Sequence, residues 1–592
     1  MPTTPTPSPA SAPTSAIPAL SRRQWLTRAA APALAASLAY PLVARAQSTT
    51  TPAAPASGSG APALPAVGTQ PSTSKFAIHN ITAYGAIADG ATLNTAAIQA
   101  AIDAANAAQG GIVLIPEGAF LCGTIELKSN VTLHITAGGK LLGSPKPDDY
   151  RAGNNIPRGN GNIVFISAAA AENISIEGNG AIDGNGLAFW NGRGDNTGPG
   201  QNSSEGYFQR PHLIVFWQCK NVHVRDTFLT ASAYHCMRVL SCDRVYLDNV
   251  RIHNRVNKNN DGFHINSSTY VHINGCDVKC QDDACALFGS NKFVTVTNST
   301  FSTRWSIFRF GGGEAENITI SNCVIYETYG CAIKMACGPR ARFENIIFSN
   351  LVMRDVTGPI SIGLSDRRRA PRPGQQQQQN QPPPARGIVR NISFSNIRGT
   401  VVAQGRQYPD MHWEQGYRDG ENRTCITLNG TGDAYLENIT LSDIHLTFEG
   451  GGTAEEAQRE VPQIAGEYFE IGDRPAHGLY ARNVHGLTLD NIRFEVATPD
   501  LRPSIVCDNV AEAALANVAV QGNPDALSAL RLINTKQTLI SAPRLLTPAK
   551  VYLAVEGENS SAITLDGGDI TQAATQVTHD RGAPETSTRV RT

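Results

Sequence analysis

The chain has 592 residues, 17% of them charged, and its 49 Lys and Arg nearly cancel its 50 Asp and Glu. That balance excludes a generally basic nucleic-acid binder and a generally acidic solvating chain. Gly (54) and Pro (35) are plentiful but follow no three-residue period, which excludes collagen, and no apolar run is long enough for a mature bilayer span. Length alone suggests about four domains, an expectation that the internal repeat replaces with one.

Residues 1–46 read as an export signal with an N-terminal extension. Ser21-Arg22-Arg23-Gln24-Trp25-Leu26 is followed by an uncharged apolar stretch from Ala29 to Val43, and then by Ala44-Arg45-Ala46. A basic start, an apolar middle and an Ala-x-Ala end make a cleavable signal, and the paired arginines look like the twin-arginine type. The expected destination is the periplasm or the medium. Residues 47–74 are Ser, Thr, Pro, Ala and Gly, which bury too little apolar surface to offset ordering entropy, so a flexible linker is expected. Twelve cysteines run from Cys122 to Cys507. Several, such as Cys219, Cys276 and Cys323, end apolar strands, and a chain folded before export keeps its thiols reduced. Buried small-hydrophobe roles are therefore expected. No Cys/His spacing resembles a zinc site.

Asn94–Ala108 carries Ala97, Ile98, Ala101, Ile102 and Ala105 at helical spacing and is stopped by Gly110-Gly111. A β-pattern follows it. A polar residue, often Asn, precedes an apolar–polar–apolar triplet at Asn173, Asn221, Arg244, Tyr270, Phe293, Asn317, Asn345, Asn391, Asn438 and Gly486. From Asn221 to Asn345 the steps are 23, 26, 23, 24 and 28 residues; elsewhere they are 46–48, as if a degenerate copy lay inside each interval. Such a period signals a solenoid, and the alternation makes its unit β. The steps are too short for a propeller blade. The expected fold is all-β: a single right-handed parallel β-helix over residues 75–575, its coils stacked at about 4.8 Å, with the first helix as an N-terminal cap. Corner asparagines should hydrogen-bond from coil to coil. Residues 366–386, with Arg367-Arg368-Arg369, a glutamine run and Pro382-Pro383-Pro384, should form a disordered loop between coils. Residues 576–592 are expected to be a disordered tail.

The densest acidic constellation is Asn259-Asn260-Asp261-Gly262 with Gln281-Asp282-Asp283. Asp261 and Asp283 lie 22 residues apart, one coil by the local period. Arg304 and Arg309 lie one coil further, and Lys334 one beyond that. Three carboxyls at close range push their pKa values apart, so one stays protonated while another is ionised, as glycosidic cleavage requires. Tyr234-His235 sits one coil before Asp261, within reach of the groove floor.

These residues resemble glycoside hydrolase family 28, the polygalacturonase family, from about Ile81 to Val510. Tyr84-Gly85-Ala86, Asp89-Gly90, Gly110-Gly111 and Ile115-Pro116-Glu117-Gly118 match its opening. Asn259-Asn260-Asp261 matches its Asn-x-Asp motif, and Gln281-Asp282-Asp283 its Gly-Asp-Asp. The resemblance implies an inverting hydrolase in which Asp282 protonates the glycosidic oxygen and Asp261 and Asp283 activate water, across about 6.5–9.5 Å. It implies no metal or cofactor. Asn259, His235, Arg304, Arg309 and Lys334 are the candidate substrate contacts. The family's Gly-His-Gly is absent from Thr303–Arg309, and its Arg-Ile-Lys reads Ala332-Ile333-Lys334. Arg304 or Arg309 then stands in for the lost groups that orient the acid and bind a sugar carboxylate.

Two segments exceed one coil, Asp410–Thr431 and Gly450–His477. Trp413, Tyr417, Arg418, Glu421, Tyr468, Phe469 and His477 in them suit a sugar-binding wall, and a closed groove end favours exo action. The expected partner is a pectin-type polysaccharide or oligosaccharide of galacturonate or rhamnose, with no nucleic acid and a monomeric protein. Two alternatives share the architecture: a Ca²⁺-dependent polysaccharide lyase using Arg304, Arg309 or Lys334 as base, and a non-catalytic carbohydrate-binding β-helix.

Overall fold

A computed structural model describes residues 77–153, 163–190, 210–366, 385–414, 416–417, 420–422 and 424–591. The expected signal and linker, the 367–384 part of the loop and Arg418 lie outside these residues.

The described chain is a right-handed parallel β-helix. One inward column runs from coil to coil through Ile174, Val222, Val245, Val271, Val294, Ile318, Ile346, Ile392, Ile439 and Leu487. These side chains are at most 1% exposed, and burying each stabilises the stack by roughly 1.5–3 kcal/mol. The residue before each column position turns a corner with positive φ: Asn173 (57°), Asn221 (53°), Asn317 (59°), Asn345 (56°) and Asn391 (57°). Asn tolerates this backbone and uses its amide besides. Asn221 Nδ2 donates to Asn173 Oδ1 at 2.9 Å, and Asn391 Nδ2 to Asn345 Oδ1 at 3.2 Å. The expected ladder is present. Arg244, Tyr270 and Phe293 interrupt it, and the rings of Tyr270 and Phe293 stack at 5.0 Å instead.

Thr95–Ala107 forms the expected helix, which buries Ile98, Ala101, Ile102 and Ala105 against the first coils. All twelve cysteines are buried and unpaired. Two expectations are corrected. The 46–48-residue intervals hold no second copy: Ile346 pairs directly with Ile392, Ile392 with Ile439, and Ile439 with Leu487. Each interval is one coil, and in the last two the described surplus residues of 402–425 and 449–478 leave the stack between that coil's strands as an excursion. The tail is also ordered over its described residues. The inward column continues through Ala513, Thr538 and Ile563 to Thr588. Ala573–Asp580 and Thr588–Arg591 are strands that cover the last coil's open edge.

Candidate active site

Asp261 and Asp283 precede equivalent strands, Phe263–Asn266 and Cys285–Phe288, which pair in parallel as neighbours. The Gly262 N–H donates to the Asp283 carbonyl at 2.9 Å, so the one-coil spacing places both residues as expected. Gly262 is required here, because a Cβ would lie 2.4 Å from the Ala284 carbonyl oxygen. Asn260 pins the bend before Asp261. Its Oδ1 accepts from the Val256 and Asn257 N–H groups at 3.0 and 2.7 Å, and its Nδ2 donates to the Ser232 and Tyr234 carbonyls at 2.9 Å each.

Asp282 is half-buried between two donors. Its Oδ1 accepts from the Asp283 N–H at 2.9 Å and its Oδ2 from Asn259 Nδ2 at 3.2 Å. Asn259 (φ 54°) is held in turn by Arg210, whose Nη2 donates to Asn259 Oδ1 at 3.2 Å. Burial, and secondarily the charge of Asp261, pushes the Asp282 carboxyl up to about 7. Burial and the charge of Asp282 push Asp283 up to about 6, against the pull of Arg309 and Lys334. Asp261 is raised well above the carboxylate range by burial and by Asp283. The cluster cannot ionise completely, so near pH 6–7 it holds an acid and a base together.

Around Asp261 the structure assembles imidazoles, of which only His235 was expected. His264 Nδ1 lies 3.0 Å from Asp261 Oδ2, and His235 Nε2 lies 3.7 Å from Oδ1. Burial holds both rings below the usual histidine range, His264 at about 3. The two rings stack at 4.8 Å with planes 13° apart, and Phe288 covers His264 from the other side at 5.2 Å. His235, Asp261 and His264 bring three potential metal-ligand atoms within 4.8 Å of one another. Parallel stacked rings cannot both direct an in-plane lone pair at one ion, so this set fits hydrogen bonding to the carboxylate. The sequence signal for His264 was a His three residues after Asp261 in a strand whose alternate positions face the core.

The expected cations divide. Arg304 is a correction. It is 2% exposed, and its Nη1 donates to the Tyr329 carbonyl at 2.8 Å. Its Nη2 donates to the Gly416 carbonyl at 2.6 Å and to Glu421 Oε2 at 3.2 Å, and Tyr417 covers its plane at 3.9 Å. It anchors an excursion and has no place as a substrate contact. Arg309 and Lys334 are register partners on adjacent coils at the site. Both bind Glu467, Arg309 Nη2 to Oε1 at 2.6 Å and Lys334 Nζ to Oε2 at 3.0 Å. Trp305, Phe469 and Tyr468 surround the Lys334 ammonium at 4.7, 4.9 and 5.6 Å. Glu467 stands beside the expected wall residues Tyr468 and Phe469 and has no sequence signal of its own.

The excursions build walls, largely by packing. The one that follows Ile388–Val401 runs back along the stack. Asp410 meets Arg255 Nη1 at 3.1 Å and His253 Nε2 at 2.7 Å, and Trp413 stacks on Trp190 at 4.6 Å. Trp413, Glu421, Tyr468 and His477 are themselves buried, so they support the wall more than they face the groove.

The model of the family described as Glycosyl hydrolases family 28 matches residues 111–458. Polygalacturonase-2 of Solanum lycopersicum is 26% identical over 259 residues, which are 42% of this chain and 51% of that protein. The polygalacturonase of Persea americana is 25% identical over 346 residues, 56% of this chain and 70% of its own. The chain thus spans about half the length of the first of these relatives. Among solved structures, the Yersinia enterocolitica family 28 exopolygalacturonase aligns with a TM-score of 0.55 at 21% identity, covering 75% of this chain and 78% of that one. The Thermotoga maritima exopolygalacturonase aligns with a TM-score of 0.52 at 19% identity, covering 71% and 92%. At these identities the structural likeness is one of fold.

Proposed function

Because the chain belongs to glycosyl hydrolases family 28, we propose that it hydrolyses O-glycosidic bonds in pectin-type polysaccharide or its oligosaccharides, with inversion and from chain ends. The observation that carries this reading is Asp282, a half-buried carboxyl raised to about 7, beside two further buried carboxyls on the neighbouring coil and residue. Asp282 gives its proton to the glycosidic oxygen as the bond to the anomeric carbon breaks. Asp283, with Asp261, takes a proton from the water that attacks the opposite face of the ring. Asn259 holds the acid on line. Exo action draws support from the excursion that runs back along the stack as far as Trp190.

A lyase needs a basic side chain free to take a proton. Arg309 and Lys334 are both engaged by Glu467 and Arg304 is buried in a loop anchor, so the hydrolase is the better supported reading. Twin-arginine export to the periplasm or medium belongs to the same proposal. Twelve unpaired, buried cysteines accord with folding before export.

A digest of a pectin panel, read by chromatography with mass detection, tests the activity. Wild-type protein should yield products heavier by one water per bond cleaved, with small products from the earliest times. Asp282→Asn should cut the rate by at least about 100-fold while remaining folded. Unchanged turnover in that variant would sink the assignment, and unsaturated products would move it to the lyase.

A further inference from the structure

We propose that the sugar ring seated against Lys334 carries no carboxylate, so that the position where Arg309 and Lys334 stand recognises a neutral glycosyl residue. The proposal rests on the hydrolase reading and names its substrate class. Two cations on adjacent coils look like a carboxylate clamp, but the clamp is already filled. Glu467 bridges them with one oxygen on each, at 2.6 and 3.0 Å. The side chains involved are 11% (Arg309), 3% (Lys334) and 2% (Glu467) exposed. Asp283 adds a second negative charge within reach of both cations. Two positive charges are thus balanced by two negative ones. A uronate carboxylate placed there would be a buried charge without a partner, or would have to expel Glu467.

The surroundings favour an uncharged ring. Trp305 and Phe469 lie 4.7 and 4.9 Å from the Lys334 ammonium and are themselves half-buried, so they offer aromatic surface where a free cation would otherwise face the groove. Arg304 and Arg210 offer no substitute. Arg304 is committed to Tyr329, Gly416 and Glu421. Arg210 is committed to the Ala233 and Lys258 carbonyls and to Asn259. Glu467 therefore acts as an internal stand-in for a substrate carboxylate and sets specificity by occupying its place.

The test separates recognition from turnover. Asp282→Asn protein is titrated calorimetrically with trigalacturonic acid, with its methyl triester and with α-1,4-linked galactotriose. These probes share a backbone and differ in the charge at C6. At least one neutral probe should bind tenfold or more tightly than the acid. In the double variant Asp282→Asn/Glu467→Gln the acid should gain at least tenfold. Equal or tighter binding of the acid to Asp282→Asn overturns the proposal, as does failure of every probe to bind, and neither result needs the double variant to fold. Wild-type digestion of the same probes reads the parent proposal independently. Fast cleavage of the acid keeps the hydrolase and removes the neutral site. Tighter neutral binding without any cleavage does the reverse.

Discussion

His264 Nδ1 meets Asp261 Oδ2 at 3.0 Å, and the two residues are only three apart in the chain. The two residues flank the start of one strand, Phe263–Asn266, so a short stretch of sequence supplies a carboxyl of the cluster together with its hydrogen-bonding partner. The ring has no freedom to leave, because His235 and Phe288 stack on its two faces. His264 is a positioning residue. His264→Ala should lower kcat by about 10- to 100-fold, since a misplaced carboxylate costs that order, and leave KM within about threefold. His264→Gln should recover part of the loss. A change confined to KM would move His264 to substrate binding.

The pH dependence of activity follows from the carboxyl cluster. Asp283, raised to about 6, must be ionised, and Asp282, raised to about 7, must carry its proton. The kcat/KM profile should be a narrow bell with its maximum between those values, both limbs belonging to the cluster as a unit. Replacing Asp282 should abolish the limb on the alkaline side in whatever residual activity survives. A broad profile extending unchanged to pH 9 would contradict the assignment of Asp282 as acid.

The same shift makes the site a stability cost at neutral pH. Between the ordinary carboxyl range and about 7, folded protein keeps a proton on Asp282 that the unfolded chain releases. The stability tied to this group is full in acid and falls as pH rises through 7. Asp282→Asn removes the cost. Its Tm should exceed that of wild type by roughly 2–4 °C at pH 8, with little difference at pH 4. An equal effect at both pH values would place its origin in packing.

Most of the frame was legible because it repeats. A 22-residue spacing in a 23–28-residue period put Asp261 beside Asp283, and the pairing of their strands agrees. Glu467 was not legible, because it meets Arg309 across 158 residues through an excursion that has no period. The doubled intervals misled for a related reason: a coil with a long excursion and two plain coils have similar lengths. The strands of 576–592 at the end of the final coils were not legible, because the column corners that lead to them lack asparagine. Gln537 and Ala562 take the positive-φ place (52° and 54°), and Thr538 and Thr588 stand in the inward column.

Those final coils have a measurable role. Ala573–Asp580 pairs with Ala549–Glu556 and covers Leu553 and Val555, which are fully buried. Ending the chain at Gly567 would expose that apolar, unpaired edge. The shortened protein should unfold at lower temperature and sediment partly as oligomers. A monomer with an unchanged Tm would mean that the stack closes without its last strands.

Each excursion leaves the stack and returns to it in register with the next coil, as Ile392 against Ile439 and Ile439 against Leu487 attest. Lengthening a segment whose ends are already fixed costs only a logarithmic term, about 0.6 kcal/mol per doubling. The frame therefore scarcely registers how much chain is hung on it. Diversification can proceed by exchanging these appendages, trading a residue such as Glu467 in or out of the groove, while the cylinder that aligns Asp261, Asp282 and Asp283 remains as it was.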